Sequence, residues 1–112
     1  MRIYIAAPLT ASADREERAN VARAFDAGLR LIEKGHAVYI PHLDYYMQKR
    51  PSCKIRDHEW LDHDFKWLEM CDAMLFLGHS SGADEELAQA TLLSMEIYYS
   101  IESVPSAREE SA

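Results

Sequence analysis

Short apolar runs alternate along the chain with segments of helical period. "RIYIAA" (Arg2–Ala7) is apolar and partly β-branched, and Pro8 closes it, so it reads as a buried first strand. A helix is predicted from Asp14, with Asp14 and Glu17 at capping-box spacing. Val21, Phe25, Gly28, Leu29 and Ile32 form its apolar stripe, and Gly35 is the expected C-cap. "HAVYI" is a second strand stopped by Pro41. "PHLDYYMQKRPSCKI" shows no clean period and is expected to be an irregular loop. A second helix pattern spans Arg56 to Met70, followed by the strand "DAMLFLG", the helix "ADEELAQATLLS" and the last strand "EIYYSI".

This order predicts an α/β fold: a flavodoxin-like, Rossmannoid three-layer sandwich. Its sheet should be small and parallel, with about four to five strands and helices on both faces. The domain is expected to span residues 1–101, with a flexible polar tail over 102–112.

One residue breaks the second helix's pattern. At about 100° per residue, Leu61, Phe65, Leu68, Cys71, Trp60 and Trp67 share one broad apolar arc. Asp64 falls inside that arc, between Leu68 and Cys71. A carboxylate facing a core is costly unless it is paired, hydrogen-bonded or set in a cleft. The residue is therefore either a structural Asp bonded to backbone or Tyr, or part of a site. Asp57 lies in the same arc but at the helix start, where an acid is ordinary, so it is assigned to capping.

The third helix opens "SSGADEE", just beyond an apolar strand. Helix electrostatics account for Asp84 and Glu85. The same field is expected to hold Glu86 ionised, which suits a nucleophile. Ligands of open α/β sheets bind beyond the C-terminal strand ends at a topological switch point, here between the first and third strands. Glu86 lies beside that point.

Composition narrows the chemistry. Among 112 residues, 12 are Lys or Arg and 19 are Asp or Glu, for a net charge of −7, which argues against duplex nucleic acid as partner. A small anion at a helix N-terminus remains compatible with that charge. No apolar run approaches the ~20 residues a membrane span needs, and no secretory leader pattern is present. Cys53 and Cys71 lack metal-type spacing. The expectation is a cytoplasmic protein with reduced thiols, without membrane contact and without cofactor.

There is no dinucleotide-binding or P-loop glycine pattern. "GHSSG" offers backbone N–H groups and two hydroxyls to one phosphate, but Gly/Ser turns are ordinary connections. "DHEWLDHD" suggests a metal, yet His58 and His63 are about 140° apart around a helix and cannot readily share one ion. No metal site is assigned.

Three pieces resemble the nucleoside 2-deoxyribosyltransferase superfamily, which includes the 2′-deoxynucleoside 5′-monophosphate N-glycosidases. They are "IYIAAP", "DFKWLEMCDAMLFL" and "SSGADEELAQA", in that order over residues 1–100. The resemblance is to short bacterial and phage members of the group. It implies cleavage of an N-glycosidic bond, by hydrolysis or base exchange, in a (deoxy)nucleoside or its 5′-monophosphate. It places Glu86 as nucleophile, Asp64 as the carboxyl group serving proton transfer at the base, and Tyr4 as the group orienting the nucleophile. Ala6, Pro8, Ser80, Ser81 and Gly82 fall in substrate-binding positions, with Gly82 keeping the turn. Ser80 matches a phosphate-holding serine where the transferases tend to carry Asp, which tilts the expected substrate toward a nucleotide over a free nucleoside. Asp72 matches a structural acid at the strand start. The resemblance further implies a homo-oligomer, a dimer or higher, whose site a neighbouring subunit often completes. Asp84 departs from the hydrolases by placing negative charge near the phosphate, and "PLTASADR" lacks their phosphate loop, with Arg15 its nearest candidate. The alternative is a non-catalytic nucleotide-binding or interaction module on the same scaffold. A phospho-acceptor receiver is disfavoured, because "IAAPLT" supplies no acid cluster at the first strand's end.

Overall fold

The computed structural model describes residues 1–107. Four strands, β1 (Arg2–Ala6), β2 (Ala37–Tyr39), β3 (Ala73–Phe76) and β4 (Glu96–Tyr98), form one sheet in the order β2-β1-β3-β4. Every pairing is parallel. The helices are α1 (Asp14–Glu33), α2 (Asp44–Gln48), α3 (Asp57–Leu68) and α4 (Ser81–Leu92). This is the predicted α/β sandwich at the lower strand count.

Period-two alternation divides the core. Ile3, Ile5, Ala73 and Leu75 pack with Ala24, Ala27 and Leu31 of α1 on one face. Tyr4, Ala6, Met74 and Phe76 pack with Leu68 of α3 and Ala83 and Ala90 of α4 on the other. Both faces of β1 and β3 are covered, which is why their sequences read as continuous apolar runs. Adjacent β1 and β3 send their chains to opposite faces, so the switch point lies between them, as expected.

The buried face of α1 differs from the predicted stripe. It consists of Val21, Ala24, Ala27, Gly28 and Leu31, while Leu29 and Ile32 are more than half exposed. Small residues let the helix approach the sheet closely: a Cβ on Gly28 would lie 2.5 Å from Ile40 Cδ1. Counting only large apolar residues shifts the stripe off this contact. The Asp14–Glu17 capping box does not form either. Ala13 is the N-cap, Asp14 pairs with Lys49, and Glu17 accepts the Ala11 N–H at 3.3 Å. Gly35 follows the helix at φ +94°, as its C-cap assignment requires.

Two further expectations need correction. The segment read as an irregular loop contains a 3-10 turn (Pro41–Leu43) and the five-residue helix α2. One and a half turns are too short to display a period. The described part of the expected tail, from residue 102, packs on the domain. Lys34 Nζ donates to Ile101 O (2.8 Å) and Val104 O (2.6 Å), Ala107 N donates to Lys34 O (2.8 Å), and Val104 is buried. The rest of the predicted tail, 108–112, lies outside the described residues. Asp72 is structural as expected: its carboxylate accepts the Arg2 N–H at 2.7 Å. No helix among the described residues is long and apolar enough to cross a membrane.

Candidate active site

A cleft of about 590 Å³ opens beyond the C-terminal ends of β1 and β3, between α2, α3 and the start of α4. Two carboxyl groups that are distant in the chain, Glu86 and Asp64, both line it. Each is buried, at 6% and 7% exposure. α4 begins at Ser81, so Glu86 sits in its second turn and faces inward with Ala83 and Ala90. α3 turns Asp64 inward with Trp60 and Leu68. The acid in the apolar arc is therefore a cleft acid.

Sheet register supplies each acid with a tyrosine. Tyr4 on β1 pairs with Tyr39 on β2, so both rings project from the same sheet face. The rings stack with centroids 5.5 Å apart, and Tyr39 stacks in turn on Trp67 at 5.5 Å. The Tyr4 hydroxyl donates to Glu86 Oε2. The Tyr39 hydroxyl donates to Asp64 Oδ1 at 3.0 Å. Sequence reasoning found Tyr4 and missed Tyr39. The signal for the latter was the shared strand position of two tyrosines, legible only once the register is known.

Asp44 was missed as well. It opens α2, is only 3% exposed and lines the same cleft. One oxygen of Asp44, one of Asp64 and a ring nitrogen of His63 all lie within 4.8 Å of one another. Among the described residues this is the group whose donor atoms converge closely enough to share an ion, and the His58–His63 pair weighed from sequence is not part of it. His63 Nδ1 lies 3.1 Å from Asp64 Oδ1, the same oxygen that Tyr39 bonds. Asp44 and Asp64 share a side-chain hydrogen bond besides, so the two acids form a pair.

Burial governs the protonation of these groups. It pushes the Glu86 carboxyl up to about 8, although the Tyr4 hydrogen bond opposes the rise. The sequence expectation that the helix field holds Glu86 ionised is therefore corrected. Two turns of surrounding core outweigh a partial charge that acts mainly on the first turn. Burial, with the hydrogen bond and charge of Asp64 behind it, raises Asp44 to about 8. Asp64 is raised by burial too, but hydrogen bonds from Asp44 and Tyr39 pull it down. Both tyrosines are held firmly protonated, first by burial and then by the acids they face. Burial lowers His42, which donates through Nε2 to Pro8 O (3.2 Å) and keeps Nδ1 without a partner.

The remaining predicted residues divide between the cleft and its surroundings. Ser80, Ser81 and Gly82 line the cleft; Ala6 and Pro8 do not. Ala6 is fully buried beneath it, and Ala7, Leu9 and Thr10 take the lining positions. Pro8 faces a second depression beside α1 and packs near Gly78. Ser80 is the N-cap of α4, and its Oγ accepts the Ala83 N–H at 3.1 Å. Gly82 is not held by a turn: it lies inside α4, and a Cβ there would meet nothing within 4 Å. Asp57 is not the cap of α3. Glu59 accepts the Arg56 N–H at 3.3 Å, while Asp57 lines the cleft. Asp84 turns away from the cleft and pairs with His79 at 2.7 Å. Arg15 is not a lining residue, and neither is any other Arg or Lys among the described residues.

These features define a Rossmannoid α/β domain with a strongly acidic cleft at its switch point. The chain belongs to the family described as Domain of unknown function (DUF7768), whose model matches residues 1–100. Comparison with curated proteins gave no match. The fold is shared with a solved structure of 2-deoxyribosyltransferase from the psychrotolerant bacterium Bacillus psychrosaccharolyticus. The TM-score is 0.60 at 20% identity, covering 87% of this chain and 69% of that one.

Proposed function

We propose that the chain cleaves the N-glycosidic bond of a nucleoside, with Glu86 as the nucleophile at C1′. The observation that carries this reading is the convergence of Glu86 and Asp64 on one cleft, each held by its own tyrosine. Breaking the bond leaves an oxocarbenium-like sugar, which a carboxylate captures covalently. Tyr4 fixes the direction of the Glu86 carboxyl and favours its charged form. An acid beside the base lets it depart neutral. The shared fold with a 2-deoxyribosyltransferase is consistent with this chemistry.

The charge of the cleft favours an unphosphorylated nucleoside. Asp44, Asp57, Asp64, Glu85 and Glu86 line it, and among the described residues no Lys or Arg does so to offset a phosphate dianion. Ser80 Oγ, matched to a phosphate-holding serine, accepts the Ala83 N–H in capping α4, so its single O–H is what it can offer a phosphate. The N-terminus of α4 remains as one source of anion affinity, with no Lys or Arg beside it in the described lining.

The test incubates the protein with a panel of nucleosides and 5′-monophosphates and measures free base by chromatography. Release is expected from one or more nucleosides, faster than from the matching monophosphate, and abolished in a folded Glu86→Ala variant. Thermal stabilisation by nucleosides without base release would instead support the binding-module alternative.

A further inference from the structure

Asp44 stands outside every motif, yet it is among the most buried acids of the chain and it faces the cleft. Two nearly buried carboxyl groups whose oxygens lie within 4.8 Å repel one another when both are ionised, which favours keeping one proton on the pair. Hydrogen bonding decides which partner keeps it. Asp64 Oδ1 accepts the Tyr39 hydroxyl at 3.0 Å and lies 3.1 Å from His63 Nδ1, so Asp64 is the oxygen set arranged for negative charge. Asp44 has the complementary role of donor. Other titratable groups face the pair from each neighbouring element. They are Tyr39 on β2, His63 on α3, Tyr4 on β1, Glu86 on α4 and His42 in the turn before α2. The tyrosines stay neutral, and His42 is held neutral by burial.

We infer that Asp44 is the acid that protonates the departing base, with Asp64 as the anionic partner that keeps the proton on it. This deepens the glycosidic reading above and rests on it. As the C1′–N bond breaks, its electron pair goes to the base. A base ring nitrogen takes the Asp44 proton, and a Glu86 oxygen forms the new bond to C1′. The pair is left with two negative charges in a buried site, which favours its taking a proton back. In hydrolysis, water attacks C1′, the ester electron pair returns to Glu86, and the water's proton passes to the pair. In base exchange, the incoming base supplies that proton instead.

The experiment compares Asp44→Asn with wild type in two arms. In the first, base release is followed against pH with an ordinary nucleoside and with the same nucleoside methylated at a base ring nitrogen. The methylated base is already cationic and departs neutral without a proton. Asp44→Asn is expected to lose ~100-fold or more on the ordinary substrate and to come within about tenfold of wild type on the methylated one. Equal losses on both would overturn the inference, because a merely structural defect does not distinguish leaving groups. Asp64→Asn should leave Asp44 more acidic, moving the high-pH limb of activity downward; an unmoved limb would also overturn it.

The second arm needs no activity. Carboxyl-carbon NMR of Asp-labelled protein should show one carboxyl that stays protonated past pH 7, and Asp44→Asn should remove that signal. Ordinary, independent titration of both acids would overturn the inference. Absence of base release from the whole substrate panel would instead sink the glycosidic reading, while leaving this arm to decide the proton sharing.

Discussion

Replacing Glu86 by Gln tests whether the fold carries its proposed nucleophile at a cost. Displacing a carboxyl from its ordinary 4.5 to about 8 is equivalent to roughly 5 kcal/mol, at about 1.4 kcal/mol per pH unit. Because the folded value lies above the unfolded one, the associated stability is fully present below about pH 4.5. It is lost as pH rises through about 8. Between pH 5 and pH 8 the Glu86 contribution alone amounts to about 3 kcal/mol. Gln has nearly the same shape, its carbonyl can accept the Tyr4 hydroxyl, and it does not titrate. Near pH 5 the variant should therefore melt close to wild type, less the cost of one poorly partnered amide N–H. By pH 8 it should have gained about 3 kcal/mol relative to that point, which for a domain of this size is on the order of 10 °C in Tm. Asp44 is displaced in the same direction and remains in the variant, so some fall with pH persists. Circular dichroism melts at constant ionic strength between pH 5 and 8 measure the difference. Parallel curves for the two proteins would refute the reasoning, since they would mean that Glu86 ionises no less readily folded than unfolded.

Two other perturbations separate positioning from space. In wild type, base release should rise with pH as Glu86 ionises through about 8. Tyr4→Phe removes the hydroxyl that favours the charged form, so its rising limb should move to higher pH and its rate at pH 7 should fall by about tenfold per pH unit of displacement. An unmoved limb in the pH–rate profile would count against Tyr4 as the group tuning the nucleophile. Gly82→Ala should melt at or slightly above wild type, by up to about 1 kcal/mol, because Ala is the better helix residue and its methyl meets nothing within 4 Å. That methyl enters cleft space, so nucleoside KM should rise, and an unchanged KM would place the ligand elsewhere.

Legibility in the sequence followed the range of each interaction. The parallel sheet and the switch point were readable because β1 and β3 are buried on both faces and alternate with helices of clear period. Asp64 was readable because a charge inside an apolar arc violates a local rule. Asp44 and Tyr39 were not. Asp44 opens a helix too short to show a period, and nothing nearby in the chain marks it as buried. Tyr39 gains its role only from the register that sets it beside Tyr4. The ionisation of Glu86 was misjudged for a related reason. A helix terminus can be read from sequence, whereas desolvation comes from residues of other elements packed around the acid.

The placing of Tyr39 beside Tyr4 follows from the register of neighbouring parallel strands, while the pairing of β1 with β3 holds Tyr4 on that face. One register step of β2 against β1 would turn Tyr39 toward the α1 face and leave Asp64 without its tyrosine donor. Such an acid would be costly to keep, so the site and the pairing of β1 with β2 support each other. On the proposed reading the two acids have different roles. Glu86 meets a neutral donor and lines the cleft, as the proposed nucleophile requires. Asp64 meets a neutral donor and a second acid, and in the proposal its negative charge holds a proton on Asp44. The proposed nucleophile and proton source thus differ in what each carboxyl is bonded to.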